Sequence, residues 1–143
     1  MTSGSVPEGA VDQLRATISG ETLTPVDAGY DAVRHVHNGM IDKRPAVIVR
    51  CQNTADIADA VKFAREHDLE ISVRGGGHNV AGRAVTDGGL MIDTQTMKGV
   101  HVDPATRRVR AQAGLSWNEY NRATAATAWR RPAVSCRQPA SPA

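Results

Sequence analysis

Arg74-Gly75-Gly76-Gly77-His78-Asn79 is the stretch of this chain whose residue types and spacing converge on chemistry. Three successive glycines let the backbone enter positive φ and come close to a ligand. Their N–H groups, with no side chains in the way, can gather into a nest for an anion such as a diphosphate. His78 follows directly, and an imidazole can act as nucleophile, base or metal ligand near neutral pH. The bland alternative is that the triplet is only a tight turn. Two nucleotide motifs are excluded by spacing. Gly75 to Val80 lacks the last glycine of G-x-G-x-x-G, and no G-K-[ST] follows to make a P-loop.

The elements that must position this stretch are readable on both sides of it. Glu70-Ile71-Ser72-Val73 leads into the glycines and reads as a strand over 70–74. Pro45 precedes Ala46-Val47-Ile48-Val49, a continuous apolar run typical of a strand covered on both faces. Between them the spacing predicts a helix over 55–67, capped by Asn53 or Thr54. Ile57, Ala60, Val61 and Ala64 form its buried stripe, and Asp56, Asp59, Lys62, Arg65 and Glu66 face solvent. That is a β-α-β unit, with a right-handed crossover if its strands pair in parallel. The glycine loop then lies past the carboxyl end of a strand, where open α/β sheets bind ligands. A cradle beside a histidine there suits a partner both anionic and reactive, and a flavin dinucleotide is one.

Upstream, residues 7–19 read as a helix that stops at Gly20, with Leu14 and Ile18 on one face. Residues 20–44 read as turns around Pro25, Gly29 and Asn38-Gly39, with a short helix near 31–36. Downstream, Leu90 to Asp93 form a third strand. Val100-His101-Val102 and the run 108–113 alternate as half-buried strands, joined by a loop at Asp103-Pro104-Ala105-Thr106. Ser116 with Glu119 three residues on is a capping box that starts a helix to about Thr127.

At 143 residues the chain has room for one domain, and 41% hydrophobic residues is ordinary for a globular fold. One Phe, two Trp and two Tyr make the core aliphatic. The net charge of +2 is dispersed, with no basic stripe interleaved with aromatics, so nucleic acid is not an expected partner. Cys51 and Cys136 fit neither a disulfide scaffold nor a zinc site. No leader or long apolar run is evident, so a cytoplasmic protein without a membrane partner is expected. The other histidines have ordinary readings. His35 and His37 lack a third metal ligand, His67 suits a helix C-terminus, and His101 suits a strand surface. Cys51 reads as a small buried side chain.

From Pro25 onward the pattern resembles the FAD-linked oxidases of the vanillyl-alcohol oxidase and p-cresol methylhydroxylase type, in their berberine-bridge-enzyme-like branch. Gly29-Tyr30-Asp31, Asn38 to Asp42, Arg44-Pro45-Ala46 and Arg74 to Asn79 followed by Ala81-Gly82 carry the likeness. Gly88 to Asp93, Met97 to Val100 and Ala113-Gly114 extend it. The resemblance implies an α/β (α+β) fold, the N-terminal part of a p-cresol methylhydroxylase-type FAD-binding domain. It assigns 25–127 to the partial FAD-binding domain; 1–24 is the helix and lead-in, and 128–143, without period and with three prolines, reads as a disordered tail. It implies FAD as cofactor, its diphosphate held by Gly75, Gly76, Gly77 and Asn79, and its isoalloxazine 8α-methyl carbon bonded to His78. Arg74 would offset charge or stand solvated, and Gly114 would border the cofactor. The departure is His37, near which relatives commonly carry an aromatic.

Complete relatives are several times longer, and they take a small-molecule substrate in a separate domain. No residue of this chain matches their substrate-side acids, bases or tyrosines, and the neighbours of Cys136 do not match a flavin-attaching cysteine. Read two bases later with GC-rich codons, the tail permits L-A-T-T-G-G-V-V-S-S-T-G-I-A-G, similar to the family's next segment. A frameshift near Thr127 is therefore expected, to be checked by resequencing. The reading is the FAD-binding portion of an oxidase of alcohols, sugars or amines with oxygen as acceptor. The alternatives are a non-catalytic fragment or pairing subunit, and a reductase of the same superfamily that holds FAD non-covalently.

Overall fold

A four-stranded sheet with two longer helices on one face and a short helix with loops on the other forms the body of the chain. The computed structural model describes residues 6–127. The tail expectations, and Cys136, lie outside the described residues. In chain order the elements are α1 (Glu8–Thr17), β1 (Glu21–Leu23), α2 (Tyr30–Arg34), β2 (Val47–Arg50), α3 (Thr54–Glu66) and β3 (Ile71–Arg74). Then come β4 (Leu90–Asp93), β5 (Val100–Asp103), β6 (Arg108–Ala111), α4 (Trp117–Thr124) and one 3₁₀ turn, Ala125–Thr127.

The sheet order is β1-β2-β4-β3, with β1 antiparallel to β2 and the other pairs parallel. The expected β-α-β unit therefore takes a different form: β2 and β3 run the same way but do not touch, because β4 lies between them. The residues explain the choice. Leu90-Met91-Ile92-Asp93 is buried at every position, whereas Ile71 and Val73 of β3 are exposed on an edge. The more apolar strand takes the doubly covered place.

Alternation along the strands builds two cores. Val47, Val49, Leu90 and Ile92 face α1 and α3, meeting Val11, Leu14, Ala60, Phe63 and Ala64. Ile48 and Met91 face the other way, onto Leu23, Tyr30, Val36, Ala84 and Val85. Tyr30 brings its hydroxyl into this second core and donates it to the Pro45 carbonyl at 2.6 Å, so the phenol is not left unpaired. Cys51 is fully buried at the end of β2, and burial pushes its thiol up to about 12.

Two departures centre on one carboxylate. β1 falls in a segment read as turns, and Asp56, expected on the solvent side of α3, is buried. Asp56 accepts from the backbone N–H of Ser19 and of Gln52, each at 2.9 Å. It thereby fastens the approach to β1 onto the β2–α3 turn. Asn53 caps α3 as expected, accepting from the Asp56 N–H at 2.9 Å. The buried stripe also shifts: Phe63 joins Ala60 and Ala64, while Ile57 and Val61 are only partly covered. Phe63 packs edge-on against His67, the residue that ends α3.

The β5–β6 hairpin and the capping box form as expected. Asp103 organises the hairpin loop by accepting from Ala105 N, Thr106 N and Thr106 Oγ1. At α4, Ser116 N–H and Oγ donate to Glu119, and Lys98 Nζ reaches it at 2.9 Å. The Ser116 backbone donor first, then Lys98, holds the Glu119 carboxyl down at about 2. A lowered folded value means the contribution is complete above the ordinary glutamate value of 4.5 and disappears as pH falls through about 2. The protection factor of the α4 amides, exchange divided by its intrinsic rate at each pH, is thus expected to stay level down to 4.5 and to fall below it, and Glu119→Gln to remove that acid limb.

Candidate functional site

β3 ends at Arg74, and the sheet fixes where the glycine loop begins. The Arg74 carbonyl accepts from Thr94 N at 2.9 Å and Thr94 Oγ1 at 3.1 Å, locking the carboxyl ends of β3 and β4 together. The Arg74 side chain turns under the loop instead of standing in solvent. Its guanidinium donates to the Val33 carbonyl, and its Nε is buried without a partner among the described residues. That nitrogen lies 3.3 Å from where a Cβ on Gly77 would stand.

Gly77 is the residue that requires glycine for its backbone. Its φ is +70°, and an added Cβ would also meet Val36 Cα at 3.6 Å. Its carbonyl accepts from the His37 N–H at 3.0 Å. Gly75 lies beside the Ala113 carbonyl, and Gly114 is wedged where a Cβ would fall 2.0 Å from the Thr94 carbonyl oxygen. Gly114 thus sits next to the loop, and its smallness is accounted for by backbone packing. Lys98 donates to its carbonyl at 2.6 Å, tying it to the start of α4.

The loop's own donors are uncommitted. Among the described residues, no acceptor takes a hydrogen bond from the N–H groups of residues 75–79. Asn79 differs from the glycines, because its side-chain oxygen accepts from Arg83 N at 3.1 Å and its carbonyl from Gly82 N at 3.1 Å. It closes the turn that ends the loop. His78 is exposed at the rim, and its ring meets that of His37, with centroids 4.8 Å apart.

His37 is the member that sequence reasoning left out. With His35 it offers two ligands and no third, and the resemblance marks it only as a departure without a role. The structure separates the two: His35 ends α2, while His37 reaches the glycine loop with both backbone and ring. The segment is held by Arg34, buried between Asp31 and Asp42 and lowering both carboxyls through its hydrogen bonds. Asn38 and Lys43 continue the clamp, donating to Val80 and to Gly82 and Val85 carbonyls. Because Gly77 lies 40 positions after His37 (77 minus 37), no local spacing could have shown the contact.

This loop geometry meets an independent match. The family model for the FAD binding domain matches residues 45–141. The chain belongs to that family of FAD-linked oxidoreductases. The FAD-binding domain is 41% identical over 99 residues to (R)-6-hydroxynicotine oxidase of Paenarthrobacter nicotinovorans, covering 69% of this chain and 22% of that protein. It is 31% identical to the uncharacterised FAD-linked oxidoreductase YgaK of Bacillus subtilis, covering 76% of this chain and 24% of that protein.

Among solved structures, the domain superposes on 6-hydroxy-D-nicotine oxidase of Arthrobacter nicotinovorans with a TM-score of 0.73 at 38% identity. That covers 76% of this chain and 24% of the other. The Physcomitrella patens BBE-like 1 protein shares the fold, with a TM-score of 0.74 at 24% identity, 81% of this chain and 26% of that one. The chain therefore spans about a quarter of the length of these relatives. The α/β fold and the membership of the FAD-linked oxidases agree with what the resemblance implied. No described helix is long and apolar enough to cross a membrane.

Proposed function

We propose that the chain is the FAD-binding portion of an oxidase, with the FAD diphosphate at Gly75–Gly77 and the flavin bonded to His78. The observation that carries this is the run of unengaged N–H groups over residues 75–79, at the carboxyl end of a strand, beside an exposed imidazole. The residues fit the cofactor on their own chemistry. A glycine at positive φ leaves the backbone bare toward an anion, and the guanidinium of Arg74 beneath it adds positive charge. Gly114 borders the site by fixing Ala113 against Gly75.

FAD, when bound, supplies reversible two-electron oxidation. Everything else is the work of this chain's residues: the loop binds, Arg74 neutralises, Asn79 shapes the turn, and His78 anchors. The whole relative would oxidise an alcohol, sugar or amine in the cytoplasm and pass electrons to oxygen. None of the residues described above is placed to take a proton from such a substrate, so no substrate-dependent peroxide is expected from this chain alone.

The test is colour and mass. Chain purified after incubation with FAD is expected to be yellow, and to keep the added mass of FAD after acid precipitation. His78→Ala is expected to lose that acid-stable mass completely while keeping weaker, extractable FAD binding. Acid-stable flavin on the alanine variant would refute the anchor, and failure of both proteins to take up FAD would refute binding by this chain.

A further inference from the structure

We propose that His37 is a positioning residue that, with the bare Cα of Gly76, sets the direction of the His78 imidazole for its bond to the flavin. This rests on the reading of His78 as anchor. The two rings stand 4.8 Å apart, tilted by 51°. On the loop side, a Cβ at Gly76 would lie 2.7 Å from His78 Cδ2 and 3.2 Å from Nε2. The ring is therefore folded back over a spot that only glycine leaves free, and His37 stands beside it.

Nothing in the core could do this job, because both imidazoles are exposed. A solvent-facing side chain ordinarily hops between rotamers in nanoseconds or less. The backbone that carries the His37 ring is pinned on both sides. Its N–H is bonded to Gly77, Arg74 is bonded to Val33, and buried Arg34 fixes the helix just before it. The second aromatic is thus fastened to the loop whose histidine it touches.

Orientation matters for the reaction concerned. A ring nitrogen of His78 gives its lone pair to the 8α carbon, and one methyl proton and one imidazole proton are released. The two electrons gained by the flavin pass to dioxygen with two protons, giving peroxide. A misplacement of about 1 Å can slow such a step by about a hundredfold.

The test uses the full chain labelled at histidine carbons, with the ring C–H resonances read by NMR before any FAD is added. His37→Ala is expected to move the His78 resonances, His37→Phe to restore ring packing, and Gly76→Ala to displace the His78 ring with His37 intact. Unchanged amide spectra in the sheet show that each variant is folded. With FAD, His37→Ala is expected to slow acid-stable adduct formation by about ten- to a hundredfold, and His37→Phe to recover most of the rate. Equal resonances and equal adduct rates in wild type and His37→Ala would overturn positioning alone. So would a His37→Phe variant as slow as the alanine. If the resonances move as expected but wild type forms no adduct, the anchor reading fails, and the contact has no flavin to serve.

Discussion

Gly114→Ala is expected to destabilise the chain by about 3 kcal/mol, near the upper end of what overpacking usually costs. The position has an ordinary φ, so the demand is for space. An alanine methyl would stand 2.0 Å from the Thr94 carbonyl oxygen and 2.7 Å from that of Met97, both rigid backbone at the end of β4. Neither can swing aside as a side chain would. The Gly114 N–H donates to the same Met97 carbonyl, so relief also strains that bond. Against a typical total of about 5–15 kcal/mol, the loss is large enough to read as a clear drop in urea midpoint. A second effect reaches the loop: moving residue 114 shifts Ala113 from its place beside Gly75, and FAD uptake should weaken beyond the stability change. An alanine variant with the wild-type midpoint would show that the 94–97 turn yields freely.

Asp56→Ala is expected to cost about 2–3 kcal/mol, because two backbone donors lose a charged acceptor at once. Burial raises the Asp56 carboxyl, but the N–H groups of Gln52 and Ser19 outweigh it and hold the group below the usual aspartate range. The sign follows directly. A lowered folded value means that this stabilisation is present above the unfolded aspartate value of about 3.9 and is lost as pH falls through the folded one. Wild type and variant should differ most near neutrality and converge in acid. The loosening should centre on β1, since Ser19 leads into it and Gly20 is pressed against the Arg50 carbonyl, where a Cβ would lie 1.8 Å away. Urea midpoints at several pH values check both the size and the slope.

Both sites show what the residues disclosed and what they withheld. The β2 run, the Asn53 cap, the Ser116–Glu119 box and the β5–β6 hairpin were legible because each is decided by neighbours within a few residues. β1 was not, since three residues carry no period and its place is set by Asp56, far along the chain. The helix pattern puts Asp56 toward solvent, but it cannot see the Ser19 N–H arriving from 37 positions upstream to join that of Gln52. The insertion of β4 between β2 and β3 is likewise a matter of pairing, on which local spacing is silent.

The candidate site divides in the same way. The glycines and His78 stand out by type and order, and the family match agrees with the one coarse inference drawn from them, that the domain binds FAD. Arg74 was read as charge offset or solvated, and the structure places it under the loop, bonded to Val33. His37 stood out only as a departure, and its partner was hidden for a plain reason: a histidine with no partner in its own segment gives no sign of the one it meets across the fold.

Cys51 gives the molecule a built-in clock. Its thiol is sealed at the end of β2 and stays protonated at any ordinary pH. An alkylating reagent can reach it only when β2 parts from its cover. Label uptake at residue 51 therefore reports sheet opening: the opening rate where the reagent outpaces reclosing, and the open population where it does not.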